Sequence, residues 1–259
     1  MIRAGDFKKG QVSVWIILAI FLVVALLLFL WIRNNSVQPS GLGSSDIIPD
    51  TMLKQCVYIE TNKIVDIVLP QGGFISPKNY AIYNGSQVEY LCLNIGLYDS
   101  CIQQHPLLIR EIKSQLIDYL NVKTENCFAQ FEEEVKKRGG SSVSHGPSSV
   151  DIDFIDDKVV VKISKEIDVT DKEITRKITS LDVSVQSPIF NLANVAMEIA
   201  NQEAKYCNFE TAGYSLYYPR YNVKRQLLAD STRIYIIRDE KTGKIMMTAI
   251  KGCVIPPGV

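Results

Sequence analysis

Six cysteines carry the most specific chemistry in this sequence: Cys56, Cys92, Cys101, Cys127, Cys207 and Cys253. All six follow a single long apolar run, and their number is even. In an oxidising compartment such a set forms disulfides. A zinc site would need close pairs such as C-x-x-C, and the sequence has none, so no metal is expected. Several pairings are open. The preferred set is Cys92–Cys101, which closes a local loop, with Cys56–Cys127 and Cys207–Cys253, which tie elements distant in the chain.

The other reactive side chains are sparse. There are two histidines. His105 precedes Pro106 at an expected helix start, and His145 lies in a Ser-rich stretch. No G-x-S-x-G, phosphate loop, H-E-x-x-H or dinucleotide fingerprint is present, so no catalytic residue and no cofactor are expected. Asp151, Asp153, Asp156 and Asp157 suggest calcium, but they lack the Gly and the closing Glu of a helix-loop-helix calcium site. A strand with acids on its solvent face and two at a turn accounts for them. Tyr214, Tyr217, Tyr218 and Tyr221, with Arg220 and Arg225, form the densest aromatic segment. Tyr and Arg together suit a partner-binding surface, and the competing reading is a strand with aromatic packing near Pro219. Asn34 and Asn84 stand in glycosylation sequons.

The apolar run at residues 12–33 sets the expected placement of all these groups. As a helix it reaches roughly 30 Å, the thickness of a hydrocarbon core, with Trp15 and Trp31 near its ends. Arg3, Lys8 and Lys9 precede it, so the positive-inside rule puts residues 1–11 in the cytoplasm and the remainder outside the plasma membrane. A cleaved secretory signal is the alternative, although its apolar core would be shorter, about 7–15 residues. Lys plus Arg and Asp plus Glu are both 28, and this balance offers nothing to attract nucleic acid.

The expected organisation is α+β. An N-terminal transmembrane helix is followed by a Pro/Gly/Ser-rich linker at 34–45 and a disulfide-stapled extracytoplasmic domain of helices on antiparallel hairpin and meander sheets. Within that domain 46–140 reads as helix-rich and 150–259 as strand-rich, with a flexible joint at 139–149. Helical spacing covers 47–68 and stops at Pro70 and Gly72-Gly73. Asn84-Gly85 marks a hairpin between 80–83 and 87–93. After Pro106 an apolar stripe runs to Leu120, with a kink near Asn121 and helix again to Arg138. Then the period becomes two. A two-residue turn at Asp156-Asp157 sets Val150 opposite Ile163, Ile152 opposite Val161, Phe154 opposite Val159 and Asp151 opposite Lys162. A third strand at 174–185, a helix after Ser187-Pro188 and a hairpin around 239–243 complete the chain.

The junction Lys8-Lys9-Gly10-Gln11-Val12-Ser13 resembles the start of archaeal type IV pilin-like proteins with a class III signal. In that family a basic pair and Gly precede Gln, and a dedicated peptidase cuts between Gly10 and Gln11 as they stand here. The likeness covers about the first thirty residues, and Trp15 departs from it, since the pattern carries Glu there. The remainder resembles uncharacterised archaeal single-pass surface proteins, in which a Cys-containing helix leads to a turn like Gln71-Gly72-Gly73-Phe74. The function implied is non-enzymatic: a pilin-like or minor-pilin-like membrane component that binds a protein, glycan or filament. The alternative is an anchored extracytoplasmic hydrolase. N-terminal sequencing of the mature protein checks the processing, with Gln11 expected first; an intact Met1 contradicts it.

Overall fold

The computed structural model describes residues 19–24, 26–27, 49–94, 96, 99–171 and 174–252. The chain divides into two units, Met1–Asp46 and Ile47–Val259. In the first, residues 19–24 and 26–27 are helical and exposed. The transmembrane helix expected at 12–33 is corrected on this point. Among the described residues no helix is long and apolar enough to cross a membrane. Gly10, Gln11, Asn34, the linker at 34–45 and Cys253 lie outside the described residues.

The second unit is α+β. Helix α1 (Pro49–Val68) buries Leu53, Val57, Ile64, Val65 and Val68, which recur at helical spacing. A 3₁₀ turn, Leu69–Gln71, and Gly72 and Gly73 at φ 77° and 97° end it. Gly73 also permits a close approach: a Cβ there would lie 2.5 Å from the Ile112 side chain. Strands β1 (Tyr80–Tyr83) and β2 (Ser86–Leu93) form the expected hairpin. Asn84 and Gly85 take the positive φ angles of a two-residue turn. The short β3 (Ile102–Gln103) adds to β2.

Helix α2 (Leu108–Lys137) is unbroken over 30 residues. Helix continues through the break expected near Asn121, whose side-chain oxygen accepts from the Val150 N–H at 3.2 Å. The apolar stripe Leu108, Ile112, Leu116, Leu120, Cys127, Phe128 and Phe131 is buried, and α2 packs on α1 and on β4. Gly139, at φ 83°, follows the helix stop.

Strands β4 (Ser141–Ile155), β5 (Lys158–Asp171) and β6 (Ile174–Gln186) form an antiparallel meander. All four expected pairings, Val150–Ile163, Ile152–Val161, Phe154–Val159 and Asp151–Lys162, occur in its register. The segment expected as a flexible joint is continuous with β4, and Ser142, Ser144 and His145 pair with Val169, Ile167 and Glu166. Helix α3 (Ile189–Tyr206) buries Ile189, Leu192, Ala193, Ala196, Ile199 and Ala200. Residues expected as a strand near Tyr214 form instead a short helix, α4 (Thr211–Tyr217). Its start is capped by Glu210, whose side chain accepts from the Ala212 N–H at 3.1 Å. Strands β7 (Tyr221–Leu227), β8 (Arg233–Asp239) and β9 (Ile245–Lys251) follow.

The second sheet has the order β1-β2-β9-β8-β7 with β3 beside β2. Only β2 and β9 run parallel among its pairings. Strands from 46–140 and from 150–259 thus share one sheet, and α3 packs on β2, β8 and β9.

Two of the expected disulfides, Cys56–Cys127 and Cys92–Cys101, are formed. Cys207 is disulfide-bonded too, and Cys253, its expected partner, is outside the described residues. Cys56–Cys127 joins α1 to α2 across 71 residues of sequence, whereas Cys92–Cys101 spans 9. The longer loop restricts the unfolded chain more. Replacing Cys56 and Cys127 by Ser should lower the unfolding free energy by about 2 kcal/mol more than replacing Cys92 and Cys101, as read from urea titrations of the two double variants.

Candidate functional site

The tyrosine-rich segment divides into exposed and engaged residues. Leu216, Tyr217 and Tyr218, at the end of α4, are 81%, 83% and 52% exposed. Tyr214, one turn earlier on the helix, stacks on Phe209 and on Tyr218 with centroids 5.1 and 4.8 Å apart. It anchors the helix while Tyr217 and Tyr218 face water. Tyr221 is half-buried and packs against the core. Of Tyr214, Tyr217, Tyr218, Arg220 and Tyr221, only Tyr217 and Tyr218 are exposed.

Arg220 is committed elsewhere. Its guanidinium reaches Asp157, at the β4–β5 turn, and donates to Asp239 Oδ2 from Nη2 at 2.7 Å and from Nε at 3.1 Å. Asp239 is fully buried, and its other oxygen accepts the Lys241 N–H at 2.8 Å. Lys241 Nζ and Asn191 complete the cage around Asp157, at 2.6 and 3.0 Å. Arg220 first and Lys241 second hold the Asp157 carboxyl down to about 2. Arg220 therefore joins three turns, with Asp157 and Asp239 of the fold against its guanidinium.

A second buried carboxylate shapes a cleft that spacing does not reveal. Glu203, in the last turns of α3, is fully buried and accepts from Arg233 and from the Tyr235 hydroxyl. Arg233 also donates to the Cys207 carbonyl at 2.8 Å. Beside this cluster, Cys207, Asn208, Arg225, Leu227 and Arg233 line an open cleft of about 370 Å³. Arg225 is exposed and donates to Asn208 Oδ1 at 2.7 Å. These residues come from the end of α3 and from two strands, so only the fold gathers them. The one sequence signal was Arg225, within the Tyr/Arg segment.

The remaining candidates have structural partners. Lys113 Nζ lies 3.0 Å from Asp151 and 3.7 Å from Asp153, and Lys162 donates to Asp153 at 2.7 Å. Among the described residues no group of three or more His, Cys, Asp or Glu is placed to hold a metal. His145 pairs with Asp168 at 3.1 Å on exposed strands. Asn84 is exposed on its hairpin turn.

His105 is held between two carboxylates. Its Nδ1 lies 2.6 Å from Glu111 and its Nε2 3.3 Å from Glu89, and its ring stacks on Phe74. Glu89 is buried and also accepts the Lys78 and Asn79 N–H groups at 2.7 and 3.1 Å. Burial lowers the histidine pKa, but the hydrogen bonds to Glu89 and Glu111 outweigh it and the net shift is upward. With a carboxylate beside each nitrogen, the protonated ring can donate to both and so clasp β2 to α2.

Because the folded-state pKa is raised, the clasp's stabilisation is complete below the unfolded histidine value of about 6.5 and is lost as pH rises through the folded value. Urea unfolding of the wild type and of His105→Gln from about pH 5 to about pH 9 should show their stability difference shrinking with pH. A difference independent of pH would contradict the clasp.

Comparison with known protein families, with curated proteins and with solved structures returns no match.

Proposed function

We propose that this chain is a non-enzymatic binding module that works outside the cytoplasm, in an oxidising compartment, and engages a protein or glycan partner through the surface around α4. The observation that carries this reading is the exposure of Leu216, Tyr217 and Tyr218 at the end of a helix packed on the fold. Tyr214 packs on Phe209, and the Ser215 hydroxyl accepts the Val223 N–H at 3.2 Å. A rigid aromatic platform binds with little loss of side-chain freedom, which favours tyrosine at interfaces. The disulfides support the compartment, since such bonds persist where thiols are not kept reduced. The hydrolase reading would call on His105 or His145 as a general base; His105 is held between Glu89 and Glu111, and His145 pairs with Asp168 on an exposed strand.

The test is binding of the labelled full-length protein to immobilised surface glycans and surface proteins of the source cell. The variant Leu216→Ser/Tyr217→Ser should lose about tenfold or more in affinity while keeping the wild-type melting temperature. Equal binding by the two proteins would overturn the proposal.

A further inference from the structure

The edge of the second sheet is half covered and half open. Strand β7 is its last strand. Three backbone hydrogen bonds set which of its residues face β8. The Leu228 N–H donates to Thr232 and the Glu240 N–H to Arg220, while the Tyr221 N–H turns away to Tyr218. The alternation of an antiparallel ladder then directs the N–H and C=O groups of Tyr221, Val223, Arg225 and Leu227 away from β8. Helix α4 satisfies the first two N–H groups, through the Tyr218 carbonyl and the Ser215 hydroxyl. Beyond α4 no described residue replaces it. Among the described residues no group accepts from the Arg225 or Leu227 N–H, and the Leu227 carbonyl accepts only its neighbour Gln226's side chain, at 3.2 Å. Such an edge pairs readily with an added strand.

The charge beside this edge is positive. Arg225 pairs with Tyr235 and Leu227 with Arg233 in the β7–β8 register, so their side chains share the face on which Tyr235 meets Glu203 of α3. The cleft lies on that face. The Arg233 charge is answered by Glu203. Arg225 contacts the neutral Asn208, and no carboxylate pairs with it among the described residues. A residue of an added strand directly opposite Arg225 or Leu227 would project to the same face, and so into the cleft.

Building on the binding-module reading, we propose that residues 225–227 dock an extended acidic peptide segment of a partner protein. The segment adds as a strand beside β7 and places a carboxylate against the Arg225 guanidinium. Its backbone takes up the Arg225 and Leu227 groups left open by α4, and α4 stops the pairing at Val223.

The probe is a set of blocked hexapeptides alternating valine with glutamate, titrated into the full-length protein by fluorescence anisotropy. The glutamate peptide should bind saturably, and its glutamine counterpart about tenfold more weakly. Arg225→Gln should weaken the glutamate peptide by a similar factor and erase the preference for it, and N-methylation of alternate peptide amides should abolish binding. Amide exchange should slow at Arg225 and Leu227 in the complex. No saturable binding, indifference to Arg225→Gln, or unchanged exchange at both amides would overturn the proposal. If Leu216→Ser/Tyr217→Ser abolishes binding to the surface partner while Arg225→Gln leaves that binding intact, the edge proposal fails and the binding-module reading stands.

Discussion

The parallel pairing of β2 with β9 is the constraint on which the second unit depends. It sets Tyr90 beside Ala249 and Cys92 beside Ile250. Parallel neighbours require a crossover, and here the crossover contains β3, α2, the β4-β5-β6 meander, α3, α4, β7 and β8. Helix α1 and strand β1 precede this path, and α1 packs onto it through α2 and β6. Asn94 extends the junction, donating from its backbone to Lys251 at 2.8 Å and from its side chain to Gly252 at 3.1 Å. Cys92–Cys101 holds β3 against the other edge of β2. The first half of the chain cannot complete its sheet without the last strand.

Within that frame, buried carboxylates do the joining. Glu89 ties the loop after Phe74 to His105, Glu203 ties α3 to β8, and Asp239 ties the β8–β9 loop to Arg220. An uncompensated buried charge costs several kcal/mol, so each must be met by cations or N–H groups, and each of these is. The consequence reaches the surface. Arg220 and Arg233 are consumed by the fold, whereas Arg225, two strand positions beyond Val223, keeps its charge for the cleft. The structure thereby distinguishes arginines that have the same composition value in the sequence.

Helix α4 links fold to function in a similar way. Its capped, Pro-terminated turn lies over the first half of β7 and satisfies that edge, which both protects the sheet from indiscriminate pairing and leaves a short open stretch next to the cleft. The same helix turns Tyr217 and Tyr218 outward because Tyr214 and Ser215 are used for attachment.

Local pattern alone determined much of this architecture. The strict alternation from Val150 to Ile163, with Asp156-Asp157 as the only turn available, dictated the β4–β5 register, because a one-residue slip would turn every valine and isoleucine to water. Asn84-Gly85 marked a hairpin for reasons of backbone sterics, and the cysteine positions indicated Cys56–Cys127 and Cys92–Cys101. Tertiary structure decided the rest. Residues 139–149 looked like a joint because Gly, Ser and Pro carry no local preference for a strand, and from Ser141 onward they join β4 because β5 offers distant partners. The seven residues around Tyr214 are too few for periodicity to separate helix from strand. The apolar run at 12–33 has the length of a membrane span, yet no such helix stands among the described residues. The cleft was invisible because Asn208, Arg225, Leu227 and Arg233 share no spacing; they meet only where the end of α3 crosses two strands, and contact across a sheet is set by packing rather than by sequence distance.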